Sequence, residues 1–97
     1  ALVANAAATP YQVTKTGLLV LTKSLAVSLA PRVRVNMISP GQLDNSIDLP
    51  SDIHSTIPLQ RAGSLEDVSQ TLTFLLDADY VTGTNIDVAG GYRLSGS

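Results

Sequence analysis

The sequence predicts an α/β fold built on parallel strands. Three features lead there. A segment with helical period follows Thr9-Pro10, two short β-branched runs each stop at glycine, and a second amphipathic segment lies between those runs. Strand, helix and strand in that order imply a right-handed crossover joining parallel neighbours. Two such strands cannot cover both faces of a parallel sheet by themselves. The chain is therefore expected to be part of a larger α/β body, with the remainder missing or supplied by another chain.

Each element has a local cause. Thr9 suits an N-cap, and Pro10 suits the first helical position, where its missing N–H costs nothing. Gln12, three residues after Thr9, completes a capping-box pattern. The run PYQVTKTGLLVLTKSLAVSLA then meets no strong breaker before Pro31. Leu18, Leu21, Leu25 and Leu29 follow helical spacing, while Leu19, Val20, Ala26 and Val27 fill much of the other side. A helix apolar nearly all round is expected to be buried on two faces, one on a sheet and one on a second subunit.

Residues 32–39, RVRVNMIS, read as a strand stopped by Pro40-Gly41. Residues 42–63 contain Pro50, Pro58, several Asp and Ser, and no clear period. A loop of about 20 residues is long for a compact domain, which draws attention to function. Ser64 caps a second helix with Glu66 and Asp67 in its first turn, where the helix dipole favours acids. Leu65, Val68, Leu72 and Leu75 line one face, and the helical signal fades over residues 77–79. Residues 85–89, NIDVA, read as the second strand, preceded by Gly83 and ended by Gly90-Gly91.

Composition narrows the function classes. The 97 residues make room for one small domain. The net charge of -2 leaves no basic footprint, so no nucleic-acid partner is expected. No apolar run approaches the ~20 residues of a membrane helix, and no membrane partner is expected. The opening ALVANAAAT lacks the basic flank of a signal peptide. A first residue other than Met leaves processing, cleavage and truncation open. The absence of Cys excludes disulfides and thiolate metal sites, and is compatible with the expected cytoplasmic location.

The candidate chemistry starts at Tyr11 and Lys15. Residues four apart on a helix share a face, so the Lys15 ammonium can approach the Tyr11 hydroxyl directly or through a ligand. A phenol titrates near about 10 in water. A nearby cation or a helix N-terminus lowers that value, and a phenol tuned toward neutrality can trade a proton with a carbonyl or alcohol oxygen. The spacing alone is weak, since ordinary composition produces it in roughly one chain of this size in ten. A solvated Tyr and Lys on a helix surface is the plainer reading.

The surrounding motifs add weight. Tyr11-Gln-Val-Thr-Lys15, Val33-Arg-Val-Asn36, Ser39-Pro-Gly41 and Val81-Thr-Gly-Thr-Asn-Ile86-Asp-Val-Ala-Gly90-Gly91 follow one another at characteristic intervals. Together they resemble the C-terminal half of the short-chain dehydrogenase/reductase family, from about Pro10 to Leu94. The resemblance implies a Rossmann-like, doubly wound parallel sheet. Residues 1–97 would be the C-terminal portion of a single catalytic domain whose nucleotide-binding N-terminal half is absent from this chain. It further implies hydride transfer with NAD(H) or NADP(H). Tyr11 would be the general acid or base. Lys15 would bond the nicotinamide ribose and depress the Tyr pKa. Pro40 and Gly41 would turn the chain beside the nicotinamide, with the backbone at Leu43 reaching the carboxamide and the missing Cβ of Gly41 permitting close approach.

The departures from the family pattern are specific. By the resemblance, the catalytic Ser falls 12 or 13 residues before Tyr11, ahead of Ala1, and the Gly-rich phosphate loop and catalytic Asn fall further upstream. Asn45, followed by Ser46, replaces the Thr common after Pro-Gly, and Ala89 replaces the usual Asp before the final Gly-Gly. The segments PLQRAGSLEDV and VTGTNIDVAGGYRL are most similar to the pteridine reductase-like branch, which leans the cofactor toward NADP. The 3-oxoacyl carrier-protein reductase and sugar-alcohol dehydrogenase branches share much of this ending.

Other residues have plainer readings. Asp44, Asp48 and Asp52 lack the remaining ligands of a calcium loop, and His54 lacks a ligand partner, so no metal is expected. Arg61 is expected to pair with an Asp rather than with an anionic ligand. Tyr80 and Tyr92 are expected to pack, and Gly90-Gly91 to make a tight turn. The expected partners are a small-molecule substrate, the missing N-terminal half and further copies in a homo-oligomer. By family analogy the last strand and second helix join that interface. The alternatives are a non-catalytic fragment or subunit acting as an interaction scaffold, and an unrelated small α/β binding module.

Overall fold

The computed structural model describes residues 10–44 and 52–92. Helix α1 spans Pro10–Leu29, strand β1 Met37–Pro40, the short helix α2 Ile53–Thr56, helix α3 Leu65–Asp77 and strand β2 Asn85–Val88. The two strands pair in one sheet. Met37 N–H donates to the Thr84 carbonyl at 2.8 Å and Gly41 N–H to the Val88 carbonyl at 2.9 Å. The numbers rise together along both strands, so the pairing is parallel. This is the expected α/β fold, and the order of long elements matches the sequence reading. The chain divides into two compact units: residues 1–37 with 79–85, and residues 38–78 with 86–97.

In the first unit, α1 packs on the segment that leads into β2. Ala26 is buried, and a Cβ on Gly83 would stand 3.4 Å from its methyl group. Thr22 is also buried, with its hydroxyl donating to the Leu18 carbonyl at 2.7 Å. The Lys23 ammonium donates to the Gly83 carbonyl at 3.2 Å. Among the described side chains of α1, only Thr22 and Ala26 are buried. Val13, Leu18, Val20, Leu21, Leu25 and Val27 are exposed, so the described residues do not enclose the two apolar faces expected of this helix. Among the described residues there are two paired strands, too little sheet to cover it.

The first strand is shorter than the predicted 32–39, because side chains replace its early ladder bonds. Val35 N–H donates to the Thr82 hydroxyl at 3.0 Å. The Asn36 amide donates to the Val81 carbonyl at 2.9 Å, and its oxygen accepts from Thr84 N–H at 3.1 Å. Asn36 thus serves as a side-chain strand partner, and regular pairing begins only at Met37.

In the second unit, Ile57 is the most completely buried large side chain, at 1% exposure. The Gly90-Gly91 turn closes over it. Both glycines have positive φ, 60° and 87°, and a Cβ on Gly90 would lie 2.9 Å from Ile57 Cγ2. Leu59 N–H donates to the Gly90 carbonyl at 2.9 Å. Gly90 is therefore required by backbone conformation and by close packing together.

The stretch expected to be a long loop contains α2. Its N-cap is Asp52, whose carboxylate accepts from Ser55 N–H at 3.2 Å; the Ser55 hydroxyl first, and this N–H second, hold the carboxyl below its ordinary value. Four residues are too few to show a helical period, so the sequence concealed this turn. His54 is exposed on it. Tyr80, expected to pack, is fully exposed in the turn after α3. The Thr9 cap and the contacts of Asn45, Ser46 and Asp48 lie outside the described residues.

Helix α3 begins with a reciprocal capping box. Asp67 N–H donates to Ser64 Oγ at 3.3 Å, and the Asp67 carboxylate accepts from Ser64 N–H at 2.8 Å. The same carboxylate takes both prongs of the Arg61 guanidinium, at 2.8 and 3.1 Å. Arg61 and the Ser64 donors hold the Asp67 carboxyl well below its ordinary value of 3.8, while Asp67 pushes the Arg61 guanidinium up. The Asp expected to partner Arg61 is Asp67.

Two stability tests follow from these bonds. Asn36→Ala leaves Thr84 N–H without its side-chain partner and the Val81 carbonyl with only the 3.4 Å bond from the Arg34 guanidinium, and urea denaturation should show a loss of about 1–3 kcal/mol. Asp67 has a folded pKa below its unfolded one, so its contribution is full above the ordinary carboxylate range and disappears as pH falls through the folded value. Asp67→Asn should therefore be less stable than wild type at neutral pH, with the gap closing on acidification. A gap in urea midpoint that stays constant down the acid limb would show that Asp67 is not the linked group.

Candidate functional site

Tyr11 lies in the first turn of α1 and Lys15 one turn further on. The Tyr11 side chain is outside what the structure describes. At 100° per residue, positions 11, 15, 22, 26 and 29 fall within a stripe about 60° wide. Thr22 and Ala26 are the buried members of that stripe, and Lys15 is half-buried. Val13, Val20 and Val27 form a separate exposed stripe on another side. Positions 11 and 15 thus share a side of α1 with Thr22 and Ala26, and Leu18, about 20° from position 11 on the other flank, is exposed.

The second unit holds Pro40, Gly41 and Leu43. Pro40 is the last residue of β1 and is exposed; it has no N–H to give to the ladder, and Gly41 makes the next bond instead. A Cβ on Gly41 would lie 2.7 Å from Ala89 Cβ and 2.9 Å from Ala89 Cα. The close approach that Gly41 permits here is to the end of β2. Ala89, which stands where the family usually has Asp, belongs to this packing contact.

Leu43 is held by a parallel bridge to Gly63. Gly63 N–H donates to the Gln42 carbonyl at 2.8 Å, and Asp44 N–H donates to the Gly63 carbonyl at 2.7 Å. The bridge uses the peptide groups on either side of Leu43. The N–H and C=O of Leu43 itself project from the opposite edge, because backbone groups alternate along an extended segment. One N–H and one C=O side by side complement a primary carboxamide, which carries one acceptor and a donor pair. The carboxyl end of a parallel strand is also where open α/β sheets take their ligands. The Leu43 edge thus has the donor–acceptor pattern that complements a primary carboxamide.

Gly63 was not singled out from the sequence, although a Gly immediately before a helix-capping Ser is a recognisable signal for close backbone approach. A cavity of about 290 Å³ lies between α3 and β2 in the same unit, lined in part by Arg61, Asp67, Gln70, Thr71 and Asp87. Its guanidinium and the Asp67 carboxylate are already paired with each other.

Known proteins are similar to this chain in sequence and fold. The family model described as enoyl-(acyl carrier protein) reductase matches residues 1–93. The human dehydrogenase/reductase SDR family member 4 is 40% identical over 93 residues, covering 84% of this chain and 34% of that protein. Carbonyl reductase family member 4 of Xenopus laevis is 42% identical over 88 residues, covering 87% of this chain and 37% of its own length. Among solved structures, a 3-oxoacyl-[acyl-carrier protein] reductase with bound NAD from Brucella melitensis superposes with a TM-score of 0.75 at 32% identity. That match covers 84% of this chain and 32% of the other. The chain spans about a third of the length of these relatives. With its parallel α/β fold, its Tyr11/Lys15 helix and its match to the family model over nearly all its length, the chain belongs to the short-chain dehydrogenase/reductase family.

Proposed function

We propose that residues 1–97 form the C-terminal portion of a single Rossmann-like catalytic domain in an NAD(P)-dependent oxidoreductase. The observation that carries this reading is the placement of positions 11 and 15 on the stripe of α1 that leads to buried Thr22 and Ala26. The peptide edge of Leu43 that faces away from Gly63, without a partner among the described residues, supports it from the second unit. The cofactor would accept or supply hydride, and the substrate is a carbonyl or alcohol, with a pteridine-type compound as its narrower form. NADP is favoured over NAD by the likeness to the pteridine reductase-like branch.

This chain's own residues have distinct tasks in that reading. Tyr11 gives its phenolic proton to the substrate oxygen during reduction and takes one back during oxidation. Lys15 bonds the nicotinamide ribose hydroxyls, and its positive charge favours the phenolate form of Tyr11. Leu43 holds the carboxamide through its backbone, while Pro40 and Gly41 set the turn that presents it. The N-terminal half of the domain supplies the dinucleotide phosphate site, and the exposed apolar residues of α1 cover themselves against that half and against another copy in a homo-oligomer. The cytoplasm is the proposed location. No described helix is long and apolar enough to cross a membrane.

In the full-length protein, Tyr11→Phe should lower kcat by about 10²–10⁴-fold while cofactor affinity, followed by quenching of reduced-cofactor fluorescence, stays near wild type. Persistent turnover would remove Tyr11 from the reaction and favour a scaffold role. Lys15→Met should weaken cofactor binding. It should also move the alkaline-side pKa of the pH–rate profile upward, because loss of a cation makes the phenol a weaker acid. A downward or absent shift would separate Lys15 from the phenol.

A further inference from the structure

Arg61 has a task that the family assignment leaves unstated. Its guanidinium grips the Asp67 carboxylate with two bonds, at 2.8 and 3.1 Å, and also donates to the Ala62 carbonyl at 3.2 Å. The same carboxylate accepts from Ser64 N–H at 2.8 Å and from the Ser64 hydroxyl at 3.0 Å. Ala62 and Gly63 are thereby enclosed in a ring of bonds anchored to the first turn of α3. Gly63 in turn gives both of its peptide groups to the segment Gln42–Leu43–Asp44. A Cβ at Gly63 would stand 3.3 Å from Leu43 Cδ2, so the two backbones meet closely.

We infer that Arg61 is a positioning residue for the nicotinamide end of the cofactor, acting through Asp67, Ser64 and Gly63 to hold the Leu43 peptide edge in register. This rests on the oxidoreductase reading above. The Arg61 side chain is 60% exposed and that of Asp67 23%, so water screens the pair and its bare attraction contributes little. Its importance is geometric. A two-pronged Arg–carboxylate pair fixes direction as well as distance, and here it fixes the residues flanking the bridge. A lysine at this position keeps the charge but loses the fork. The effect is confined to the part of the cofactor that meets Leu43, because the phosphate site lies in the other half of the domain.

The test compares two ligands in the full-length protein. One is NADH or NADPH, whichever binds more tightly; the other is the matching ADP-ribose, which lacks the nicotinamide. Arg61→Ala should weaken binding of the nicotinamide dinucleotide by about threefold to tenfold, with ADP-ribose changed by less than about twofold. Arg61→Lys should fall between wild type and Arg61→Ala, and it supplies the comparison should the alanine variant fold poorly. Equal weakening of both ligands would indicate general loosening and overturn the assignment, as would dinucleotide affinity unchanged in both variants. Failure of the wild-type protein to bind either dinucleotide is a distinct result, seen before any substitution, and would remove the oxidoreductase reading on which the inference stands.

Discussion

Parallel pairing of β1 with β2 is the constraint on which the rest depends. A parallel neighbour cannot be reached by a tight turn, so the chain must leave at the carboxyl end of β1 and travel back before β2 can begin. That obligation produces the long connection and α3. It also places an irregular segment, rather than a hairpin, immediately after Pro40. Irregular backbone has peptide groups to spare, and at Leu43 one N–H and one C=O are left pointing away from the bridge to Gly63. That free-facing edge follows from the topology before any side chain is considered.

The polar groups then decide how firmly each segment is held. Asn36 replaces ladder bonds with an amide side chain, which starts β1 late but leaves the Val81 carbonyl and Thr84 N–H partnered. Asp67 combines a helix cap with an ion pair, so one carboxylate organises both the start of α3 and the approach to it. None of these bonds is individually large. Their value lies in satisfying backbone groups that would otherwise have to find water.

Glycine and alanine mark where backbone meets backbone. Gly41 against Ala89 and Gly90 against Ile57 leave no space for another carbon. The family's usual Asp before the final Gly-Gly is replaced here by a methyl group that packs on Gly41. That gives a physical meaning to a departure that the motif alone left as a mismatch. Tyr80 shows the reverse case: an aromatic beside a strand invites a packing reading, yet it projects from a turn into solvent.

The sequence by itself determined the types of the long elements, their order and the parallel crossover. Helical period, β-branched runs, the Ser64 cap and the Pro40-Gly41 stop are local signals written in adjacent residues. It also determined that Tyr11 and Lys15 share a helix face, since that follows from 3.6 residues per turn. Only the tertiary structure decided that their stripe runs on to buried Thr22 and Ala26, that Leu43 is bridged by Gly63, that Arg61 selects Asp67, and that a four-residue helix precedes Ile57. The period of a helix states which positions share a side. Which side is buried, and which peptide groups remain unspent, depends on residues far away in the chain that become neighbours only on folding.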